Sequence, residues 1–430
     1  MVKSNKNIMK NKSENKNKNK IELNKTKATK IVYLDNASAT PLSVSVLNKM
    51  HLSLKKYFAN PSAIHDLGME TKKVLDEARD SVGKILGAHM NEIIFTSGAT
   101  ESNNLAILGV IENLPKKYKT PHIVTTNIEH ASVLEVFKFL EKEKKIEVTY
   151  LEIEKNGIVD IQKLKKVLKE NTVLVSVMYA NNEIGTIQPI KEIAKTIRHY
   201  KKNLTQDKQE ENIYPLFHTD ATQAVNYLDI NVLRLGVDMM SLNSGKIYGP
   251  KGVGVLFKKR GVTLKPLILG GDQEFSLRAG TQNTPLILGL SEALSETEDM
   301  KITEVKRLTN LREMFIKKLK NLFDHLEIDM ILNGDQSVCL PNIINITIPK
   351  IPSDLLLIEL SARGIYVSEK SACKSGDKKN SHVLEAIHGR TTESINSIRF
   401  SLGRDTKKED LDYVIKCLSD ILKKLRKWYS

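Results

Sequence analysis

The 430 residues include only three cysteines, Cys339, Cys373 and Cys417. An odd number cannot form a closed disulfide framework, and no CxxC pair is present for zinc or redox work. No metal site is expected, and each thiol has to be judged alone. The chain also lacks any apolar run near the roughly 18 residues of a membrane span. Its N-terminus lacks the apolar core of a secretory signal. These absences predict a cytoplasmic protein with no membrane partner. Aromatic residues are scarce, at 5%, and none interleaves with the lysines near the N-terminus, as stacking on single-stranded nucleic acid would need.

What is present is 40% hydrophobic and 27% charged residues, enough for one large and one small domain with sizeable cores. The net charge is +15, but residues 1–30 carry ten lysines against Glu14 and Glu22, so that tail supplies +8 and the other 400 residues +7. The tail is almost all Lys, Asn, Ser, Thr and Glu, a composition that cannot bury enough surface to offset ordering entropy. It reads as disordered. Without arginine or amphipathic period it matches a transit peptide poorly, and an organellar targeting role stays open. Nucleic-acid binding through the tail is the competing reading from another class, and it predicts binding that collapses with salt or with deletion of residues 1–30.

From Ile31 onward β-rich runs alternate with helical stretches: Glu92–Thr96, His122–Thr126, Glu147–Leu151, Thr172–Val177 and Val253–Phe257. That alternation predicts an α/β fold, a mostly parallel sheet covered by helices on both faces. After about residue 290 the pattern changes to a long helix over Ile302–Phe323, a short strand over Asn342–Thr347 and a terminal helix. In that helix Leu411, Val414, Ile415, Leu418, Ile421, Leu422 and Leu425 follow the spacing of a buried stripe. The polar stretch Lys201–Glu211 reads as a surface loop or helix end.

Three segments could carry chemistry. Thr96-Ser-Gly-Ala-Thr-Glu-Ser102 is a strand end turning into a helix, where backbone amides with Ser97 and Thr100 could hold a phosphate. The same hydroxyls could equally be ordinary helix caps. Asp220, ending a strand, and Lys246, in the next strand-to-turn segment, suit a Schiff-base cofactor whose ring nitrogen needs a proton. Cys373 lies in a small polar stretch between Lys370 and Lys374, and neighbouring cations favour a thiolate. Cys339 and Cys417 read as packed apolar cysteines.

Taken in order, the chain resembles the cysteine desulfurases of the class V pyridoxal-phosphate-dependent aminotransferase family. The resemblance rests on Tyr33-Leu-Asp-Asn-Ala-Ser-Ala-Thr40, Asn60-Pro-Ser62, Ser97-Gly-Ala-Thr-Glu-Ser102, Glu129-His130, Asn181-Asn-Glu-Ile-Gly185, Asp220-Ala-Thr-Gln223, Lys246-Ile-Tyr-Gly-Pro-Lys-Gly252, Arg278-Ala-Gly-Thr281, Ser371-Ala-Cys373 and Ile398-Arg-Phe-Ser-Leu-Gly-Arg404. It implies the type I fold of these transferases, a large domain with a mostly parallel seven-stranded sheet and a smaller α+β C-terminal domain. The implied division is a tail at 1–30, a segment at 31–45 joining the small domain, a large cofactor-binding domain at 46–289, and a small domain at 290–430 carrying the catalytic cysteine.

Position by position, the resemblance makes Lys246 the lysine that binds pyridoxal 5'-phosphate and sets Asp220 against the ring nitrogen. His130 would stack on the ring and shuttle protons, and Gln223 would bond its phenolic oxygen. Ala99, Thr100 and Asn243 would hold the phosphate, with Thr281 reaching in from a second subunit of a homodimer. Asn182 and Arg399 would bind the substrate carboxylate. Cys373 would take sulfur from L-cysteine as a persulfide, leave L-alanine, and pass the sulfur to an iron–sulfur scaffold protein or a tRNA-thiolating enzyme. The stretch Lys374–Leu384 resembles the long-loop branch of the family. One departure stands out, since the family commonly has a small residue at Asn243 and His at Gly245, both of which help bind the phosphate. Selenocysteine lyase and another class V activity are the alternatives within the enzyme class, and a cofactor-free scaffold is a third.

Overall fold

The computed structural model describes residues 30–205, 213–369, 381–389 and 396–429. The lysine-rich tail and Cys373 therefore lie outside the described residues. Seven strands form one sheet in the order Ile93–Thr96, Gly254–Lys258, Met239–Asn243, Leu216–Asp220, Thr172–Ser176, His122–Thr126 and Glu147–Leu151. Gly254–Lys258 runs antiparallel to both neighbours, and the other six strands share one direction.

Parallel strands need crossovers, and the helices that supply them cover both faces, so the central strands are buried along their whole length. The period of two is visible in which core each residue joins. Val124, Val175, Phe217 and Met240 pack on one face, and Ile123, Leu174, Leu216 and Met239 on the other.

A second sheet of Ile331–Leu332, Ile343–Thr347 and Ser397–Ser401 is antiparallel, and Val32–Tyr33 pairs with Ile365–Tyr366 beside it. Its core takes Leu308, Phe315, Leu319 and Phe323 from one long helix, and Leu411, Val414, Leu418 and Leu422 from the C-terminal helix Lys408–Tyr429. That long helix is Thr284–Leu326, 43 residues without a break. It begins well before the Ile302 expected from periodicity, because Asn283 Oδ1 accepts the Leu286 amide and Pro285 sits in the first turn. Its first turns bury Ile287, Leu288 and Leu290 in the large core, so one rod passes through position 290 and serves both cores.

One buried ion pair fixes the loop before this helix. Arg79 donates from Nη1 and Nη2 to the two carboxylate oxygens of Glu274 at 2.6 Å each, and Phe95 N donates to Glu274 Oε2 at 2.8 Å. The guanidinium also lies 4.6 Å from the Phe95 ring centroid. Glu274, Phe275 and Ser276 hold φ values of 48°, 58° and 62°, a left-handed run that non-glycine residues adopt only when the surroundings impose it. Glu274→Gln keeps the shape and leaves the Arg79 charge buried without its partner, which is expected to cost about 3–5 kcal/mol. A urea midpoint indistinguishable from that of the parent chain would show that the clamp carries no stability.

Candidate active site

The C-terminal ends of the parallel strands meet at one edge of the large sheet, where open α/β sheets place their ligands. A cavity of about 170 Å³ opens there, and its lining takes in Ala99, Thr100, His130, Asn182, Asp220, Gln223, Asn243, Lys246 and Arg399. Of the described residues assigned to the cofactor or substrate from sequence, all but Ser97 and Thr281 are thus in one lining. Thr281 is exposed and outside this lining. A larger cavity of about 680 Å³ sits at the opposite ends of the same strands, against Phe217, Asp238 and Lys259, and contains none of these residues.

The floor of the site is the start of helix Ala99–Ile111. Its N-cap is Gly98, and no described side chain caps it, so neither Ser97 nor Thr100 takes that role. The first amides and the positive end of the helix dipole are left to an anion. Glu101 in the first turn accepts the Ser97 amide at 2.8 Å and pairs with Arg278 Nε at 3.0 Å. A Cβ at Gly254 would come within 2.6 Å of Gly98 Cα, so only glycine lets the strand pass under this turn. Asn243 Oδ1 accepts the Gly245 amide at 3.3 Å, which turns that amide away and leaves Asn243 Nδ2 as the donor of the pair.

Asp220 is buried at the end of its strand. Its Oδ1 accepts the Thr222 amide at 2.9 Å and its Oδ2 accepts Asn103 Nδ2 at 2.8 Å. Both oxygens are held, so the plane of the carboxylate is set. Beneath it His218 lies between the hydroxyls of Ser176 and Ser241, and burial holds its pKa down at about 4. His130 caps helix Ala131–Lys142 by accepting the Ser132 amide at Nδ1, 3.1 Å. A ring nitrogen that accepts carries no proton, so the neutral ring is protonated at Nε2. Next to it Glu129 is fully buried, its Oε1 accepting Thr126 Oγ1 and the Met178 amide. Burial raises that carboxyl to about 8.

The opposite wall comes from the N-terminal segment. Lys246 Nζ donates to the carbonyls of Ala37 and Ser38, and Gln223 Nε2 donates to Ala37 O at 2.9 Å. Arg399 is only 1% exposed. It donates to Asp35 Oδ1 at 2.8 Å, Ser38 Oγ at 2.6 Å and the Asn182 carbonyl at 2.8 Å. Its Nε, and the hydroxyl of Thr222 in the same lining, find no hydrogen-bond partner among the described residues. Buried polar atoms left this way carry a penalty that a ligand's oxygens would remove. An aldehyde-bearing ring with a phosphate suits the whole set: an amine, a carboxylate, a ring to stack on it and an uncapped helix start.

Sequence reasoning missed Asn103, Ser132, Thr222, Asp35 and Ser38 as members of the site. Asp35, Ser38 and Thr222 lie inside the motifs that carry the resemblance and Asn103 directly follows one, and only their side-chain direction identifies them.

Residues 32–414 match the family model of class-V aminotransferases. A cysteine desulfurase IscS of Dictyoglomus turgidum is 45% identical over 395 residues, 92% of this chain and 95% of that protein. Among solved structures, a NifS-like protein superimposes with TM-score 0.83 at 34% identity, covering 92% of this chain and all of that one. SspA in complex with cysteine does so with TM-score 0.71, also at 34% identity, over 86% of this chain and 98% of that one. On sequence and structure alike, this chain belongs to the class-V aminotransferase family, in its cysteine desulfurase group.

Proposed function

We propose that this chain removes sulfur from L-cysteine with pyridoxal 5'-phosphate held in the cavity described above, forming L-alanine and a persulfide on Cys373. The observation that carries the reading is the convergence of Lys246, Asp220, Gln223, His130 and Arg399 on one lining whose Arg399 Nε and Thr222 Oγ1 have no described partner. When bound, the cofactor withdraws electrons from the substrate's Cα and Cβ through its ring.

The chain's own residues do the rest. Lys246 would hold the cofactor through its aldehyde, and its Nζ, once the substrate's amine has displaced it, would be the base for the Cα proton. Asp220 would face the ring nitrogen, and His130, with its proton on Nε2, would cover the ring. Ala99, Thr100 and Asn243 would hold the phosphate. Arg399 and Asn182 orient the substrate carboxylate, a task that suits a planar guanidinium. Cys373, as thiolate, attacks the substrate sulfur: the S–S bond forms, the Cβ–S bond breaks, and Cβ keeps the electron pair and takes a proton to become the methyl of alanine.

The flanks of the Cys373 segment support this role. On one side Ser368 Oγ donates to Asp35 Oδ1 at 2.7 Å. On the other, Ser381 Oγ donates to Glu183 Oε2 at 2.5 Å, and His382 Nε2 lies 2.9 Å from the Glu129 carbonyl. Both anchors adjoin residues of the cavity. We assign the working unit as a homodimer in which Thr281 reaches the partner's phosphate. The sulfur acceptor is an iron–sulfur scaffold or a tRNA-thiolating enzyme, and the reaction is placed in the cytosol. No helix among the described residues is long and apolar enough to cross a membrane.

The purified protein is expected to be yellow, and Lys246→Ala to lose the visible band. A colourless parent protein that stays colourless with added cofactor would sink the reading. Cys373→Ala should keep the band but release no sulfide from L-cysteine, and sulfide release at the parent rate would remove Cys373 from the mechanism. Arg399→Lys loses the Nε donor left for a carboxylate, and KM for cysteine should rise roughly 10- to 100-fold, the worth of one charge-assisted hydrogen bond. An unchanged KM would place the carboxylate elsewhere.

A further inference from the structure

Asn103 lies one turn into the helix that begins at Ala99, and it is completely buried. Its Nδ2 donates both hydrogens, one to Asp220 Oδ2 at 2.8 Å and one to Ser132 Oγ at 2.8 Å. Its Oδ1 has no hydrogen-bond partner among the described residues. The reverse orientation of the amide would set Oδ1 against the Asp220 carboxylate, acceptor against acceptor, so chemistry fixes which end points where.

Ser132 continues the chain of bonds. Its Oγ is 2.8 Å from His130 Nδ1, the nitrogen that already accepts the Ser132 amide. The hydroxyl must therefore donate to Nδ1, and its lone pair receives Asn103. Every proton in the sequence Asn103, Ser132, His130 has one direction, and the far end of the same amide holds Asp220. The two groups assigned to the ring, one at its nitrogen and one stacked on it, are thereby tied to a single buried side chain separated from Asp220 by 117 positions in sequence.

We propose that Asn103 is a positioning residue for the reaction, fixing the Asp220 carboxylate and the His130 ring relative to each other through its doubly donating amide. The inference rests on the cofactor reading above. Its test is a pH titration of the visible band of the cofactor-loaded protein, with cofactor affinity measured alongside, in the parent, Asn103→Ala and Asn103→Leu. Leucine keeps nearly the volume and supplies no donor. Both variants should move the titration midpoint by about one unit and weaken cofactor binding roughly tenfold, as loss of a hydrogen bond to a charged group implies. An Asn103→Leu protein with the parent's midpoint and affinity would reduce Asn103 to packing and overturn the proposal. A parent protein that takes up no chromophore overturns the cofactor reading and this inference with it, so the two failures are distinct.

Ser132→Ala decides the His130 half even where the Asn103 variants fold poorly, since it removes one hydroxyl at a helix start and leaves the amide in place. It should lower kcat roughly tenfold with KM unchanged and displace one limb of the pH–rate profile. The parent's kcat and pH profile in Ser132→Ala would remove His130 from the proposal.

Discussion

The guanidinium of Arg399 is the point on which the two halves of the molecule depend. It projects from strand Ser397–Ser401 of the small sheet and is almost completely out of water. A charge so placed costs several kcal/mol unless it is paired and hydrogen-bonded. None of its acceptors belongs to its own strand. Asp35 and Ser38 come from the N-terminal segment, and the Asn182 carbonyl comes from the loop that follows strand Thr172–Ser176 of the large sheet. Satisfying one side chain therefore brings three parts of the chain to one place. The same N-terminal segment offers its Ala37 and Ser38 carbonyls to Lys246 and Gln223, so joining the domains and building the cavity wall are one event.

This joint also bears on what the site can hold. Asp35 Oδ1 receives Arg399, Ser38 and Ser368. That oxygen is saturated and cannot shift toward another donor without releasing one of the three. Arg399 is thus held by the protein on one side and keeps Nε, buried and with no described partner, for a ligand. A guanidinium fixed in this way costs little further ordering when a carboxylate arrives.

The residues that the sequence made legible are those whose chemical type is itself the requirement. A Schiff base needs an amine, a pyridinium needs a carboxylate, and Lys246 and Asp220 in their motifs stand out for that reason. Strands such as His122–Thr126 were legible because β-branched residues mark a pleated, buried surface. Strand Met239–Asn243 carries no such mark, since Met-Met-Ser-Leu-Asn has no β-branched residue and becomes a strand through burial between two neighbours. The early turns of helix Thr284–Leu326 were hidden for a related reason: Ile287, Leu288, Leu290 and Leu294 are buried around the rod, which erases the amphipathic period. Asn103, Ser132 and Thr222 are of types that usually cap and turn, and their role depends on partners far along the chain.

The departure at Asn243 and Gly245 bears on the anion cup at the start of helix Ala99–Ile111. With Gly245 the chain has no imidazole at that place, and the Gly245 amide is taken by Asn243 Oδ1. Asn243 lies close to the Gly98 turn, since a Cβ added to Gly98 would stand 4.0 Å from its Oδ1. Its Nδ2 and the Thr222 hydroxyl, which has no partner among the described residues, are side-chain donors in the lining, while the uncapped start of helix Ala99–Ile111 supplies backbone donors and a dipole that no side-chain change can remove. A cup built on a helix terminus can exchange one side-chain donor for another because its main source of positive potential is the backbone. Glycine in place of a histidine would therefore alter one contact to a bound phosphate and leave the cup that the fold itself creates.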